Sequence, residues 1–586
     1  MGQGAGKAVW FKRVISGWFF ISLFSGAFAQ ISTEGVRFDP PVRYPLYLSS
    51  NFGEIRPSHF HSGIDIKTMG RTGLRIYAIE GGYISRIKVA TGGYGKAVYI
   101  THPNGFTSVY AHLSRFTPEV EAYVKAAQYA RKSYTLNLFP PASRFRVKRG
   151  DLVGYSGNTG NSFGPHLHFE IRETRREAPV NPLLFGFPVK DTLTPLIRRV
   201  YLYPEAPATY IAQRPGKRVF PACRRSRGHY AIRDTLLAVT GPFSLGLEVL
   251  DRMNGTHNHF GVYSFKVMLD GKIFFYYTMD EFTYGETRYI NSYIDYAEKV
   301  LHNRNVIRTV ILPNNRLDIY REVKRRGIVM LKDTLVHTVE FVVGDIHGNE
   351  SRLELRVMKV ARTPLLRDGR PEGSNPLTRM LWDRDNYYSF DGFRIYVPKG
   401  ALYDTLDYTM DFSPPLPGSY APVYKVHRAT VPLQKAFTVW IRPDHCPEGR
   451  EDKLLIAEVS DPSRPAAKGG KWNGKEVTGK LIAFGKYTLL IDTLPPVIRP
   501  LFPAGHKDVS AQGQISFLIR DNLSGIASYN GYIDGQWALF EYEPKKKRIR
   551  YVFDPARIPS GKDHHVKIVV TDDRGNKAVY EKVLYW

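Results

Sequence analysis

The chain of 586 residues has only two cysteines, Cys223 and Cys446. That excludes a disulfide-dense scaffold and a zinc-ribbon protein, both of which need cysteines in close sets. The two lie far apart in sequence, and a disulfide between them is the lesser expectation. Acidic residues are scarce beside basic ones: 55 Asp and Glu against 82 Lys and Arg give a net charge of +27. Such an imbalance suggests an anionic partner, whether nucleic acid, a membrane surface or an acidic polymer, and composition does not choose among them. Beyond the N-terminus no apolar run approaches the ~20 residues of a membrane-spanning helix. Disorder is not expected, because 43% of residues are hydrophobic and 13% aromatic, enough to build buried cores. The length calls for about three to five domains.

The N-terminus indicates a compartment. Lys7, Lys12 and Arg13 precede an apolar stretch over 14–29 that ends Gly26-Ala27-Phe28-Ala29-Gln30. A basic start, an apolar middle and a small-x-small end read as a secretory signal peptide, residues 1–29, cut after Ala29. An uncleaved anchor is the alternative, but a run of about 16 residues is short of a bilayer span. No cysteine follows the run, which excludes a lipoprotein anchor. Export demotes nucleic acid as the partner of the charge. Basic runs such as Lys324-Arg325-Arg326 and Lys545-Lys546-Lys547-Arg548 then read as solvated faces, or as contacts with an anionic envelope polymer.

Most of the chain has the period of β-structure. Residues 30–190 read as strands with Gly-rich turns: Tyr83-Ile84-Ser85-Arg86-Ile87-Lys88-Val89 alternates, Gly92-Gly93-Tyr94-Gly95 turns, and Lys96-Ala97-Val98-Tyr99-Ile100 returns. One segment differs. Over 118–132 the apolar residues Val120, Tyr123, Val124, Ala127 and Ala130 recur at helical spacing behind Thr117-Pro118, which predicts an inserted helix. Further on the sequence repeats itself. The stretch 337–349 aligns without gaps to 564–576, each a strand running into an Asp-x-x-Gly-Asn turn. Asp251 falls opposite Asp521, Asp270-Gly271 opposite Asp534-Gly535, and the linkers at Asp191 and Asp492 correspond. Residues 191–360 and 493–586 are therefore expected to be related β-sandwich domains. A Pro-, Arg- and Gly-rich linker over 361–379 leads into a further β-rich domain, 380–492, with Phe393-Arg394-Ile395-Tyr396-Val397-Pro398 expected as its first strand and Tyr487-Thr488-Leu489-Leu490-Ile491 as its last. The expected fold is all-β dominated: an N-terminal antiparallel sheet with an inserted helix, then about three Ig-like sandwiches.

Three histidine motifs crowd the first 170 residues: His61-Ser62-Gly63-Ile64-Asp65, Tyr110-Ala111-His112-Leu113, and Gly164-Pro165-His166-Leu167-His168-Phe169-Glu170. In the third, period 2 puts His166, His168 and Glu170 on one face and Leu167, Phe169 and Ile171 in the core. A His, Asp, His set offers three protein ligands to a divalent metal and leaves a fourth position open, the catalytic arrangement of zinc. The residues alone take the reading to a divalent-metal site.

The ordered set goes further. With the lead-in Asn51-Phe52-Gly53-Glu54-Ile55-Arg56, the turn Gly92-Gly93-Tyr94-Gly95 and the loop Gly157-Asn158-Thr159-Gly160, residues 42–185 resemble the lysostaphin/LytM-type zinc metalloendopeptidases. The resemblance implies that His61, Asp65 and His168 bind Zn2+. It also implies that His112 and His166 line the cleft, orient the attacking water and stabilise the oxyanion, leaving open which takes the proton. It implies an exported peptidase, periplasmic, envelope-associated or extracellular, that cuts peptidoglycan stem-peptide cross-links, with no nucleic-acid partner and no stable membrane anchor once the signal is removed. The β domains are expected to position it on the wall or on an envelope protein. The alternative is a non-catalytic scaffold or activator that keeps a folded metal site, or a wall-binding adhesin built on the β domains. His59 and the His257-Asn258-His259 pair are read as outside the ligand set, and His102 as a turn residue. The segment 114–148 is longer than in compact relatives, so its helix either shapes the groove or decorates the periphery. No long inhibitory segment is expected before residue 42.

Overall fold

A computed structural model describes residues 33, 35–234, 236–361, 378–502 and 507–586. The signal-peptide expectation and nearly all of the expected linker 361–379 lie outside these residues. The chain divides into Met1–Val36 and Arg37–Trp586, and among the described residues every strand and helix lies in the second part.

The alternating pattern of the first 190 residues folds into a nine-stranded antiparallel sheet. Its central order is Leu48–Ser50, Ile64–Lys67, His166–Glu173, Phe106–Leu113, Lys96–Thr101, Gly82–Val89 and Leu136–Leu138. A second sheet of three strands, Arg75–Tyr77, Leu152–Tyr155 and Arg115–Phe116, packs with it. The residues of Phe106–Leu113 are buried throughout, as befits a central strand covered on both sides.

The helix spans Pro118–Arg131, with Pro at its first turn and Lys132 closing it in the left-handed conformation. Val120 and Val124 are buried as the spacing predicts, but Gln128 takes the third inward place by donating Nε2 to Tyr134 O at 2.7 Å. Its other side meets the C-terminal β segment. Lys125 Nζ pairs with Asp554 Oδ2 at 2.7 Å, Tyr129 packs edge-on against Trp537, and the Arg557 guanidinium lies 3.6 Å over the Tyr129 ring. The insertion is thus a docking platform.

The internal repeat is visible in topology. Lys272–Thr278, Ser264–Leu269, Val336–Gly344 and Glu350–Lys359 are neighbours in that order. Gln536–Ala538, Ile526–Ile533, Asp563–Asp572 and Lys577–Tyr585 repeat it. Both hairpins turn through Asp-Gly with positive φ at both residues, the turn that suits the right-handed twist of strands. Even the turn's partner recurs: His337 Nδ1 lies 2.7 Å from Asp270 Oδ2, and His564 Nδ1 lies 2.6 Å from Asp534 Oδ2. The first copy adds two features to the all-β dominated fold: the short helices Ile290–Tyr293 and Tyr296–His302, and strands His229–Ala231 and Leu237–Val239 that pair in parallel with Glu350–Lys359. Between the copies lie two five-stranded sheets. There Thr378–Met380 and Asn386–Phe390 precede Phe393–Val397, so the expected first strand is the third. Cys223 and Cys446 are free thiols.

The first sheet and the β segment after it share a core. Phe52 stacks on Phe282 with centroids 4.9 Å apart, Phe60 meets Phe282 and Tyr293, and Asn51 exchanges two hydrogen bonds with the Gly261 backbone.

Candidate metal centre

Strand register assembles the site. His166–Glu173 pairs with Ile64–Lys67 so that His168 stands directly opposite Asp65. On its other side it pairs with Phe106–Leu113, with His168 opposite Ala111, which brings His112 alongside. His112 has φ 59°, a left-handed conformation uncommon for a non-glycine residue and concentrated at functional sites. Its ring comes to rest 4.8 Å from that of His166 and 5.8 Å from that of His168. The sheet closes tightly here: a Cβ on Gly63 would lie 2.2 Å from Phe169 O.

Three donor atoms converge. His61 Nε2 lies 3.1 Å from Asp65 Oδ1 and 3.0 Å from His168 Nδ1, and His168 Nδ1 lies 2.9 Å from Asp65 Oδ1. The outer nitrogens fix how the rings face. His61 Nδ1 donates to Asn51 O at 2.8 Å, and His168 Nε2 donates to Glu170 Oε1 at 2.8 Å. Both inner nitrogens therefore face the same point as Asp65, with the outer acceptors that metal-ligating histidines ordinarily have. Tetrahedral zinc, with bonds of ~2.0–2.2 Å, spaces its ligands by roughly 3.3 Å, so the trio fits such an ion to within a few tenths of an ångström. All three residues are buried.

A deeper set of residues holds Glu170. Its side chain is fully buried and accepts from Ser62 Oγ at 2.6 Å, Tyr94 Oη at 2.5 Å, Arg172 Nε at 2.7 Å and Tyr284 Oη at 3.0 Å. Burial opposes its ionisation, but the Arg172 charge and the His168 hydrogen bond hold it below the ordinary carboxylate range. Burial also opposes ionisation of Asp65, which the surrounding His61, His166 and His168 rings hold well below its usual value. For His168 burial disfavours the charged ring, yet Asp65 and Glu170 outweigh it and raise it to about 9. Burial, reinforced by His168 and His166, pushes His112 down to about 3.

All five predicted residues are brought together. His166 is half-buried at the rim, with Nδ1 donating to Gly164 O at 2.9 Å and Nε2 3.4 Å from Asp65 Oδ1. His112 Nδ1 donates to Thr159 O at 2.8 Å. His59 is exposed and turned to Pro57 O, and His257 and His259 are exposed in a loop. His102, read as a turn residue, does open the turn 102–105, accepting from Gly105 N at 3.3 Å, and its ring is also buried, held by Gly81 O and Ser108 Oγ. Sequence reasoning missed Ser62, Tyr94, Arg172 and Tyr284. The i+2 period points to Glu170 and to Arg172 beyond it, but nothing in the sequence signals Tyr284, more than a hundred residues away.

Residues 59–132 and 142–182 match the sequence profile of the family described as Peptidase family M23. The chain carries an M23 domain. The gap in the match, 133–141, follows the inserted helix. Residues 377–492 match a second profile, the Zu5-like domain. The M23 region is similar to a Neisseria meningitidis serogroup B protein named DD-carboxypeptidase/endopeptidase Mpg, 34% identical over 131 residues, which are 22% of this chain and 24% of that one. A Vibrio cholerae protein named peptidoglycan DD-endopeptidase ShyA is 32% identical over 99 residues, 17% of each chain. The chain thus spans about a quarter, or less, of the length of these curated relatives. Among solved structures, the catalytic domain of the prophage-encoded M23 protein EnpA from Enterococcus faecalis is 26% identical, covers 26% of this chain and 98% of that one, and has a TM-score of 0.19. Among the described residues no helix is long and apolar enough to cross a membrane.

Proposed function

We propose that the protein is an exported, zinc-dependent endopeptidase that hydrolyses peptide cross-links of bacterial peptidoglycan. The observation that carries this reading is the convergence of three inward-facing donors, His61 Nε2, Asp65 Oδ1 and His168 Nδ1, inside a segment that matches the M23 family. Those three residues would hold the ion, which when bound supplies a Lewis acid for the scissile carbonyl and lowers the pKa of water at the site.

The remaining steps fall to the chain's own side chains. His112 and His166 each spend Nδ1–H on a backbone carbonyl, Thr159 O and Gly164 O, so each offers Nε2 to the cleft as an acceptor. His112 is pushed down to about 3 by burial and its histidine neighbours. It therefore stays neutral and orients a water by hydrogen bonding. His166 sits at the rim of the cleft with the Asp65 carboxylate 3.4 Å from its Nε2. His166 takes the proton from the attacking water and can then donate it to the leaving amine. Glu170, clamped by Arg172, Tyr94 and Tyr284, positions His168 and keeps its Nδ1 facing inward.

The stem peptide as substrate is supported by the names of the relatives and by the signal-peptide pattern of residues 1–29. The net charge of +27 suits an anionic envelope polymer. Metal analysis tests the centre. The purified chain should hold one zinc at this site, and Asp65→Asn and His168→Ala should each lose it together with peptidase activity. Zinc retained in full by both variants would disprove the ligand set.

A further inference from the structure

Among the described residues, two carboxylate clusters lie outside the M23 centre, at equivalent places in the two related β segments. In the first, Asp191 precedes strand Leu196–Pro204, Asp251 follows strand Phe243–Leu250, and Asp345 opens the turn 345–349 after Val336–Gly344. In the second, Asp492 precedes Val497–Pro500, Asp521 follows Gln514–Arg520, and Asp572 opens the turn 572–576. Ligand atoms of Asp492, Asp521 and Asp572 lie within 4.8 Å of one another, and so do those of Asp191, Asp345 and His347.

An independent observation comes from Asp251. It is 1% exposed and neither carboxylate oxygen accepts a well-formed hydrogen bond; burial and the nearby charges of Asp345 and Asp191 oppose its ionisation, and Arg252 only partly offsets them. A buried carboxylate without donors, beside two more carboxylates, is strongly unfavourable as an anion: it stays protonated unless a cation sits among them. The corresponding aspartates recur in both copies, and each copy leaves a carboxylate oxygen without a donor: both of Asp251 and Oδ2 of Asp191 in the first, Oδ1 of Asp521 in the second.

We propose that each related β segment binds a divalent cation of the calcium type, on Asp191, Asp251 and Asp345 in the first and on Asp492, Asp521 and Asp572 in the second. The comparison between copies selects the ion class. His347 beside the first triad is replaced by Arg574 in the second, whose guanidinium turns away to Leu454 O, Gly470 O and Asp573. The donors common to both sites are therefore oxygens alone, which suit a hard cation such as Ca2+ and not zinc, whose sites favour nitrogen and sulfur. Each triad joins one linker residue to two strand ends. The turn asparagines reinforce the joint: Asn349 Nδ2 donates to Asp191 O at 3.4 Å and Asn576 Nδ2 to Asp492 O at 2.9 Å. A cation at each place would fix the angle at which each β segment leaves the one before it.

Calorimetric titration of the chelator-stripped, dialysed full-length chain with Ca2+ tests this. Native protein should take up two calcium ions, Asp251→Asn one, and the double variant with Asp521→Asn none at these sites. Zinc reloading of the M23 centre should be equal in all three, which reports that the variants are folded. No calcium uptake by native protein at millimolar Ca2+ would overturn the proposal, as would uptake unchanged in the double variant.

Discussion

At the scale of single residues, the M23 centre is a set of buried groups that need a positive charge among them. Asp65 and Glu170 are ionised, and His168 lies between them. Without metal that charge is a proton on His168, raised to about 9 by the two carboxylates against the effect of burial. A group raised in the folded state stabilises it fully below its unfolded value of ~6.5, and that stabilisation is lost as pH rises through the folded value. Metal-free protein should therefore lose thermal stability between pH ~6.5 and about 9. The zinc-loaded protein, whose His168 has exchanged proton for metal, should not lose this contribution. The difference in Tm between the two forms is expected to widen across that window, measured by calorimetry with and without chelator. A difference that narrows would contradict the proton's place in the site. His61, Asp65, His112, His166 and His168 were legible in the sequence because each sits in a short motif with strand periodicity. Tyr94 reads there only as a turn residue, since a lone tyrosine in a Gly-rich turn gives no sign of the distant carboxylate it serves, Glu170.

Elements position these residues through register. The pairing of His168 with Asp65 holds only if the loop 61–63 lies flat against the strand His166–Glu173, and Gly63 permits it. Gly63→Ala would place a Cβ 2.2 Å from Phe169 O and 2.8 Å from Glu170 Cγ. Overpacking of this kind costs about 1–3 kcal/mol, and here the strand that must give carries His168. Denaturant unfolding should show a loss of that order, together with weaker zinc retention; unchanged stability would mean that the strands are less tightly apposed. Strand alternation and the inserted helix were readable from period alone. The inward place of Gln128 was not, because its partner, the Tyr134 carbonyl, is set by the chain's return after the helix. The helices within 287–302 were hidden for a related reason. Their aromatic residues, such as Tyr289 and Tyr293, pack against Tyr403 and Tyr277, so long-range packing selects the helix.

On the scale of the whole molecule, the β segments are built onto the M23 domain. Tyr284 reaches Glu170 from the first, and Lys545 in the last donates to Asn158 O and Ser162 O, gripping the loop that leads to His166. Lys96, almost buried, is shared between Glu121 of the inserted helix and Glu541. None of these pairs was legible: their members are separated by more than a hundred residues, except Lys96 and Glu121, and no periodic pattern links them. The repeat was legible, because two copies of one sequence pattern need no structure to align. Lys545, read from sequence as part of a solvated basic face, shows that some of the +27 is spent inside the molecule. The central claim concerns what the cleft so framed does. Mass spectrometry of muropeptides released from purified sacculi tests it most directly. Zinc-loaded native protein should release fragments whose peptide cross-links are cut, while chelator-treated protein and His166→Ala should not. Intact cross-links after incubation with the native protein, or equal release by His166→Ala, would contradict it.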